Sequence, residues 1–201
     1  QSAATGYRQR RRHLRPDGSR LDRAARAGLG WPEQYRNTRS MTDPADPTED
    51  LARAAAIARG TLRLLADLGL CGIQEMTLAN NRRADIAAIG PGGEIWMVEI
   101  KSGVPDFRSD SKWPEYIPFC DRFWFAVDHD FPQDLIPEEA GLIVADAFGA
   151  AVIRDAPAEK LSPARRKAVT LRLARLAAMR LSAAADAGWT ASEAALTSSG
   201  L

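Results

Sequence analysis

Nineteen residues, Arg83 to Lys101, restrict this chain more than any other stretch. Arg83–Ile89 and Glu94–Ile100 are rich in Ala, Ile, Val and Trp, and Gly90-Pro91-Gly92-Gly93 lies between them. Two apolar runs around a glycine–proline reversal describe a pair of strands closed into a hairpin. Folding the runs onto each other about residue 92 returns Asp85 to the side of Glu99. Side chains alternate across a strand. Val98 and Ile100 therefore face one way, and Glu99 and Lys101 the other. A mostly apolar hairpin thus ends by bringing two carboxylates and an ammonium together.

That grouping has a chemical reading. Carboxylates a few ångströms apart repel unless a cation neutralises them. Hard oxygen ligands suit Mg²⁺ or Mn²⁺. Asp85, Glu99 and the peptide carbonyl of Ile100 are the expected metal ligands. Asp85, Glu99 and Lys101 are the expected catalytic set, with Lys101 orienting a water and offsetting charge on a phosphate. A Glu-x-Lys pair alone in a strand is more often an exposed ion pair of little energetic weight. Asp85 and the apolar flanks distinguish this one.

The rest of the chain supplies a frame. A helix is expected from Pro47 to Leu68, capped by Asp46 or Thr48, with Leu51, Ala55, Ala58, Leu62 and Leu65 on one face. Strands are expected at Ile73–Leu78, Arg83–Ile89, Glu94–Ile100 and Arg122–Val127. A short helix is expected at Trp113–Cys120, and a hairpin at Gly141–Ala145 and Ala150–Ile153. Ser162-Pro163 announces a last helix reaching Ala185, with Leu171, Ala174, Ala178 and Leu181 as its apolar stripe. Helix, three strands, helix, strand, hairpin, helix is an α/β arrangement around a central mixed sheet.

Charge is distributed unevenly. Residues 1–40 carry ten arginines and three acids, leaving 17 basic and 23 acidic residues of the chain's 27 and 26 for the remainder. Residues 1–40 read as a disordered basic arm for phosphates, or as upstream sequence ahead of a start at Met41. Residues 41–185 form the domain, and 186–201 read as a flexible tail. No apolar run approaches the roughly 18 residues of a membrane span, so a cytoplasmic protein is expected. Cys71 and Cys120 lack ligand spacing and read as reduced core thiols.

Asp85, the hairpin and Glu99-Ile100-Lys101 resemble the D…ExK core of the PD-(D/E)XK, or restriction-endonuclease-like, nuclease superfamily. The departure is Ala84, where a proline is usual. Further strings are similar to the MmcB-like family of bacterial DNA repair proteins: Arg82-Arg83-Ala84-Asp85-Ile86, Val98 to Gly103, Asp106-Phe107, Asp110 to Trp113, and Cys120 to Val127. The likeness spans about residues 47–155. It implies a role in DNA repair or damage-induced mutagenesis, with DNA and other repair or translesion-synthesis proteins as partners. Nuclease activity is implied by the fold.

Other candidates have bland alternatives. Glu75 either faces the same cleft or sits in solvent. Lys112 and Tyr116, one helical turn apart, either reach the scissile phosphate or form an exposed helix face. Arg83, Arg165, Arg172 and Arg180 are candidate DNA contacts, with a solvated surface as the alternative. Glu49 and Asp50 either supply the helix carboxylate that some relatives of the resembled fold use or, as the stronger reading, compensate a helix dipole, and Asp106 and Asp110 read as turn residues. Phe119, Phe123, Trp124 and Phe125 read as core. Two functions follow: a metal-dependent DNA endonuclease, or a non-cleaving DNA-binding or adaptor protein that keeps the nuclease fold.

Overall fold

A computed structural model describes residues 47–186. The expectations for residues 1–40, Asp46 and the tail after 186 lie outside the described residues. Helix α1 (Pro47–Asp67) leads into β1 (Cys71–Thr77), β2 (Arg83–Ile89) and β3 (Ile95–Lys101). Short helix α2 (Val104–Ser109) and single 3-10 turns at Trp113–Glu115 and Ile117–Phe119 carry the chain to β4 (Arg122–Val127). Strands β5 (Gly141–Ala145) and β6 (Ala150–Arg154) precede α3 (Pro163–Ala185). The six strands lie in one sheet in chain order. Pairing is antiparallel for β1–β2, β2–β3 and β5–β6, and parallel for β3–β4 and β4–β5.

All residues of β3 and β5 are buried, which marks the middle of the sheet. Alternation sorts their side chains onto two cores. Val98, Ile100, Trp124, Ala126 and Ile143 pack with Ile57, Ala58 and Leu65 of α1. Met97, Phe123, Phe125 and Val127 pack on the other face with Tyr116, Phe119 and Val169, Leu173 and Leu176 of α3. Glu99 and Lys101 continue the second face.

Several expectations are corrected. No α-helix spans 113–120: Pro118 lacks an N–H and would sit inside such a helix, so the segment breaks into two 3-10 turns. The α-helix falls earlier, at Val104–Ser109, where Pro105 occupies the tolerated first turn. In α3 the buried stripe is Val169, Leu173 and Leu176; Leu171 and Leu181 are 45% and 73% exposed. In α1, Ile57 and Thr61 are buried and Leu51 is 72% exposed, so the packed face is rotated from the expected one. Cys71 is exposed at the sheet edge, and only Cys120 is a core thiol. The aromatic residues Phe119, Phe123, Trp124 and Phe125 are core as expected.

Helix α1 reaches the sheet at Gly60, where an added Cβ would collide with the backbone carbonyls of Asp146 and Gly149. Arg63 fastens the same contact by donating to the carbonyls of Ala147 and Phe148, each at 2.9 Å. Gly60→Ala is expected to cost about 1–3 kcal/mol by overpacking, despite alanine's better helix propensity. Urea unfolding measures it, and a stabilised variant would contradict this account.

Among the described residues, no helix is long and apolar enough to cross a membrane.

Candidate functional site

The β2–β3 ladder runs from Ile89↔Ile95 to Ile86↔Val98 and stops. Beyond it β2 stays with β1, through Ala84↔Met76 and Arg83↔Thr77. Strand β3 stays with β4 as far as Lys101↔Val127. The strands fork, and Asp85 stands at the fork. Its Oδ2 accepts the Ile100 N–H at 2.7 Å, replacing the lost ladder bond. In a strand the N–H and C=O of one residue point to the same edge. The Ile100 carbonyl is therefore directed toward the Asp85 side.

Glu99 lies one residue before, with its side chain 9% exposed. Glu99 Oε1 is 3.6 Å from Lys101 Nζ, whereas Glu99 Oε2 is buried with no hydrogen-bond partner. A buried, unpaired carboxylate oxygen is costly. Lys101 Nζ lies 2.7 Å from Asp110 Oδ2 and 3.9 Å from Asp106 Oδ1. Three acids thus surround one ammonium.

Electrostatics follow from that count. Burial pushes the Asp85 carboxyl up to about 6, although the Ile100 N–H and Lys101 favour its charged form. Burial, then repulsion from Asp85, pushes Glu99 up to about 8, against the pull of Lys101. The two acids titrate as a pair. Burial disfavours the Lys101 charge, but its bond to Asp110 and the field of Glu99 outweigh this and raise its pKa. Burial likewise opposes the Asp110 charge, yet the bonds from Lys101 and the Lys112 N–H hold it below the usual carboxylate range. Glu99 thus holds its proton to higher pH than Asp85 does, beside a charged lysine.

The structure sorts the other candidates. The Tyr116 hydroxyl donates to the Arg83 carbonyl at 3.0 Å, and burial together with the Glu99 charge raises its pKa. Tyr116 therefore borders the acid pair, held by a 3-10 turn where a helix was expected. Lys112 is exposed beside Asp110. Glu75 sits near enough to raise the Asp85 pKa and pairs with Arg83 at 2.5 Å. Its backbone is left-handed, φ 55°, which is uncommon outside glycine. Arg83 is thereby engaged. Arg180 donates to the carbonyls of Gln74 and Glu75, and the Arg165 guanidinium covers the Phe119 ring at 4.7 Å. Arg172 shares the wall of a groove with Arg165. Asp106 and Asp110, read from sequence as turn residues, hold Lys101; the only sequence signal was their closeness behind a Glu-x-Lys.

Fold and site define an α/β protein whose six-stranded mixed sheet is flanked by helices and presents an acid pair and a lysine at its central fork. The family model for DNA repair protein MmcB-like matches residues 41–188. The chain belongs to the MmcB-like family of DNA repair proteins. It is also similar to the solved structure of a protein of unknown function from Silicibacter pomeroyi. The two are 42% identical with a TM-score of 0.67, over 69% of this chain and 95% of that one. No curated protein matches the sequence.

Proposed function

We propose that this protein is a divalent-metal-dependent DNA endonuclease acting in repair, built on a PD-(D/E)XK core. The observation that carries the reading is the pairing of half-buried Asp85 with buried Glu99, both raised in pKa, with Glu99 Oε2 among the buried oxygens that lack a hydrogen bond. Among the described residues, no group of three or more Asp, Glu, His or Cys side chains is arranged to hold a metal ion. The holders of a cation would be Asp85, Glu99 and the Ile100 carbonyl. An all-oxygen set that leaves positions for water and phosphate suits Mg²⁺ or Mn²⁺.

When bound, the cation supplies a pole for a phosphate oxygen and acidifies water. The chain's own groups do the remainder. Deprotonation of Asp85 and Glu99 creates the site. Lys101 is held by Asp110 at 2.7 Å, next to where a diester would lie, and orients the attacking water. The Tyr116 ring closes the Glu99 side. Water adds to phosphorus and gives up a proton to solvent, the bond to the leaving oxygen breaks, and that oxygen takes a proton from solvent.

The test is cleavage of single-stranded, duplex, branched and damaged DNA with Mn²⁺ or Mg²⁺. Wild type is expected to cut at least one substrate, and Asp85→Ala, Glu99→Ala and Lys101→Ala to cut none. Equal cleavage by wild type and a triple variant would sink the reading.

A second reading rests on Lys101. Its ammonium is only 4% exposed and is neutralised by Asp110, Glu99 and Asp106. A lysine so occupied fits a DNA-binding or adaptor protein of a repair complex that keeps the fold without cutting. Absence of turnover on the whole panel, with DNA binding retained, would favour it.

A further inference from the structure

Helix α3 carries six basic residues, Arg165, Arg166, Lys167, Arg172, Arg175 and Arg180, and no acid. This stands out in a region where acids otherwise outnumber bases. One face of α3 and the end of β1 enclose a groove of about 450 Å³, within the size range of small-ligand sites. Its floor is apolar, formed by Met76, Leu78, Phe119 and Val169. Arg172 and Arg175 stand on its wall, and among the described residues neither has an ion pair or hydrogen bond. The Arg165 guanidinium lies over the Phe119 ring at 4.7 Å, placing a cation beside the floor.

The groove adjoins the acid pair. Met76 is the strand partner of Ala84, the residue before Asp85. Paired strands lie about 4.8 Å apart. Tyr116, which borders Glu99, and Phe119, which lines the groove, belong to consecutive turns of one segment.

We propose that this groove holds an unpaired nucleotide of a DNA single strand whose backbone continues across the Asp85–Glu99 fork. The proposal rests on the nuclease-fold reading above and deepens it by naming the substrate: DNA with a single-stranded segment. The apolar floor takes a base by its faces, which tolerates any sequence. Arg172 and Arg175 take the flanking phosphates, and the Arg165 plane stacks on the base. A base paired in a duplex cannot reach such a floor without leaving its stack. An acidic peptide would satisfy the arginines, but the step from groove to acid pair favours a continuous phosphate backbone.

The experiment uses the whole chain in EDTA, with a fluorescein-labelled dT12 strand, the matching duplex, and a strand carrying 2-aminopurine. Wild type is expected to prefer the single strand and to change the 2-aminopurine emission. Arg172→Ala/Arg175→Ala should weaken dT12 binding about tenfold or more and lower the salt slope by about 1.4. Ala168→Trp, which fills the exposed groove wall, should remove the 2-aminopurine change; thermal unfolding shows that both variants fold. Unchanged dT12 binding in both variants overturns the proposal and leaves the groove to a protein ligand. Equal wild-type affinity for strand and duplex overturns it too. Cleavage assays judge the nuclease reading separately. Groove-dependent binding without cleavage keeps this inference and removes that one, and duplex-only cleavage does the reverse.

Discussion

Glu99→Gln is expected to stabilise the metal-free protein at pH 8 by on the order of 2–4 kcal/mol, a rise of about 5–10 °C in Tm. The sign follows from the direction of the shift. Folded Glu99 holds its proton to about pH 8, and folded Asp85 to about pH 6. The same groups in the unfolded chain release theirs near pH 4, by about the usual carboxylate values. Between those limits the unfolded state binds fewer protons, so rising pH favours unfolding. The contribution of the pair is fully present below about pH 4 and fades as pH climbs through 6 and then 8. Glutamine has nothing to ionise and keeps the buried shape. A divalent cation should reverse the trend in wild type, because it binds the deprotonated pair that unfolding releases. Mn²⁺ should therefore raise the wild-type Tm more at pH 8 than at pH 6, and leave Glu99→Gln unmoved. Thermal unfolding from pH 5 to 8.5, with EDTA or Mn²⁺, measures each part. A flat wild-type profile in EDTA, or an equal Mn²⁺ response in the variant, would refute it.

Asp121→Ala should remove about 3–5 kcal/mol, the cost of breaking a buried, hydrogen-bonded ion pair from one side. Its Oδ2 accepts the Ile95 N–H at 2.7 Å and its Oδ1 the Leu161 N–H at 3.0 Å. Arg166 of α3 grips both oxygens at 2.7 and 2.6 Å and also donates to the Gly93 carbonyl. One carboxylate thus ties the β2–β3 turn, the start of β4, the segment before α3 and α3 itself. Burial opposes its charge, but Arg166 and the two N–H groups hold its pKa below the usual range. This stabilising charge is lost as pH falls through the folded pKa, opposite to the behaviour of Glu99. Asp121→Asn should cost less, since its carbonyl oxygen still accepts. Urea unfolding near neutral pH decides the matter, and a loss below about 1 kcal/mol would show that these bonds carry little weight.

The hairpin was legible from sequence because a two-residue alternation and a Gly-Pro-Gly-Gly reversal fix both face and register. Their symmetry about residue 92 returns Ile86 to Val98, as the ladder has it. Helix α3 was legible in extent, from Ser162-Pro163, but not in orientation. Its alanines and leucines recur at spacings that fit more than one stripe, and contact with Met76 and Phe119 selects Val169 and Leu173. The segment 104–119 failed for a different reason. Its prolines at 105, 114 and 118 each permit a helical first turn, and sequence alone does not say which turn continues. The catalytic candidates were visible, but the surroundings of Lys101 were not. Asp106 and Asp110 meet it only because α2 folds back over the end of β3.

The fork between β2 and β3 has a consequence for drift among relatives. Asp85 serves the sheet whether or not any chemistry occurs, since its carboxylate completes the hydrogen bonding of Ile100. Glu99 does less for the sheet: it offsets the Lys101 charge through Oε1 at 3.6 Å and satisfies no backbone group. On the proposed nuclease reading, a lineage that abandons catalysis should keep an aspartate at position 85 and let position 99 wander toward Gln, Met or Leu. Retention of the glutamate, rather than of the aspartate, is then the mark of selection for activity.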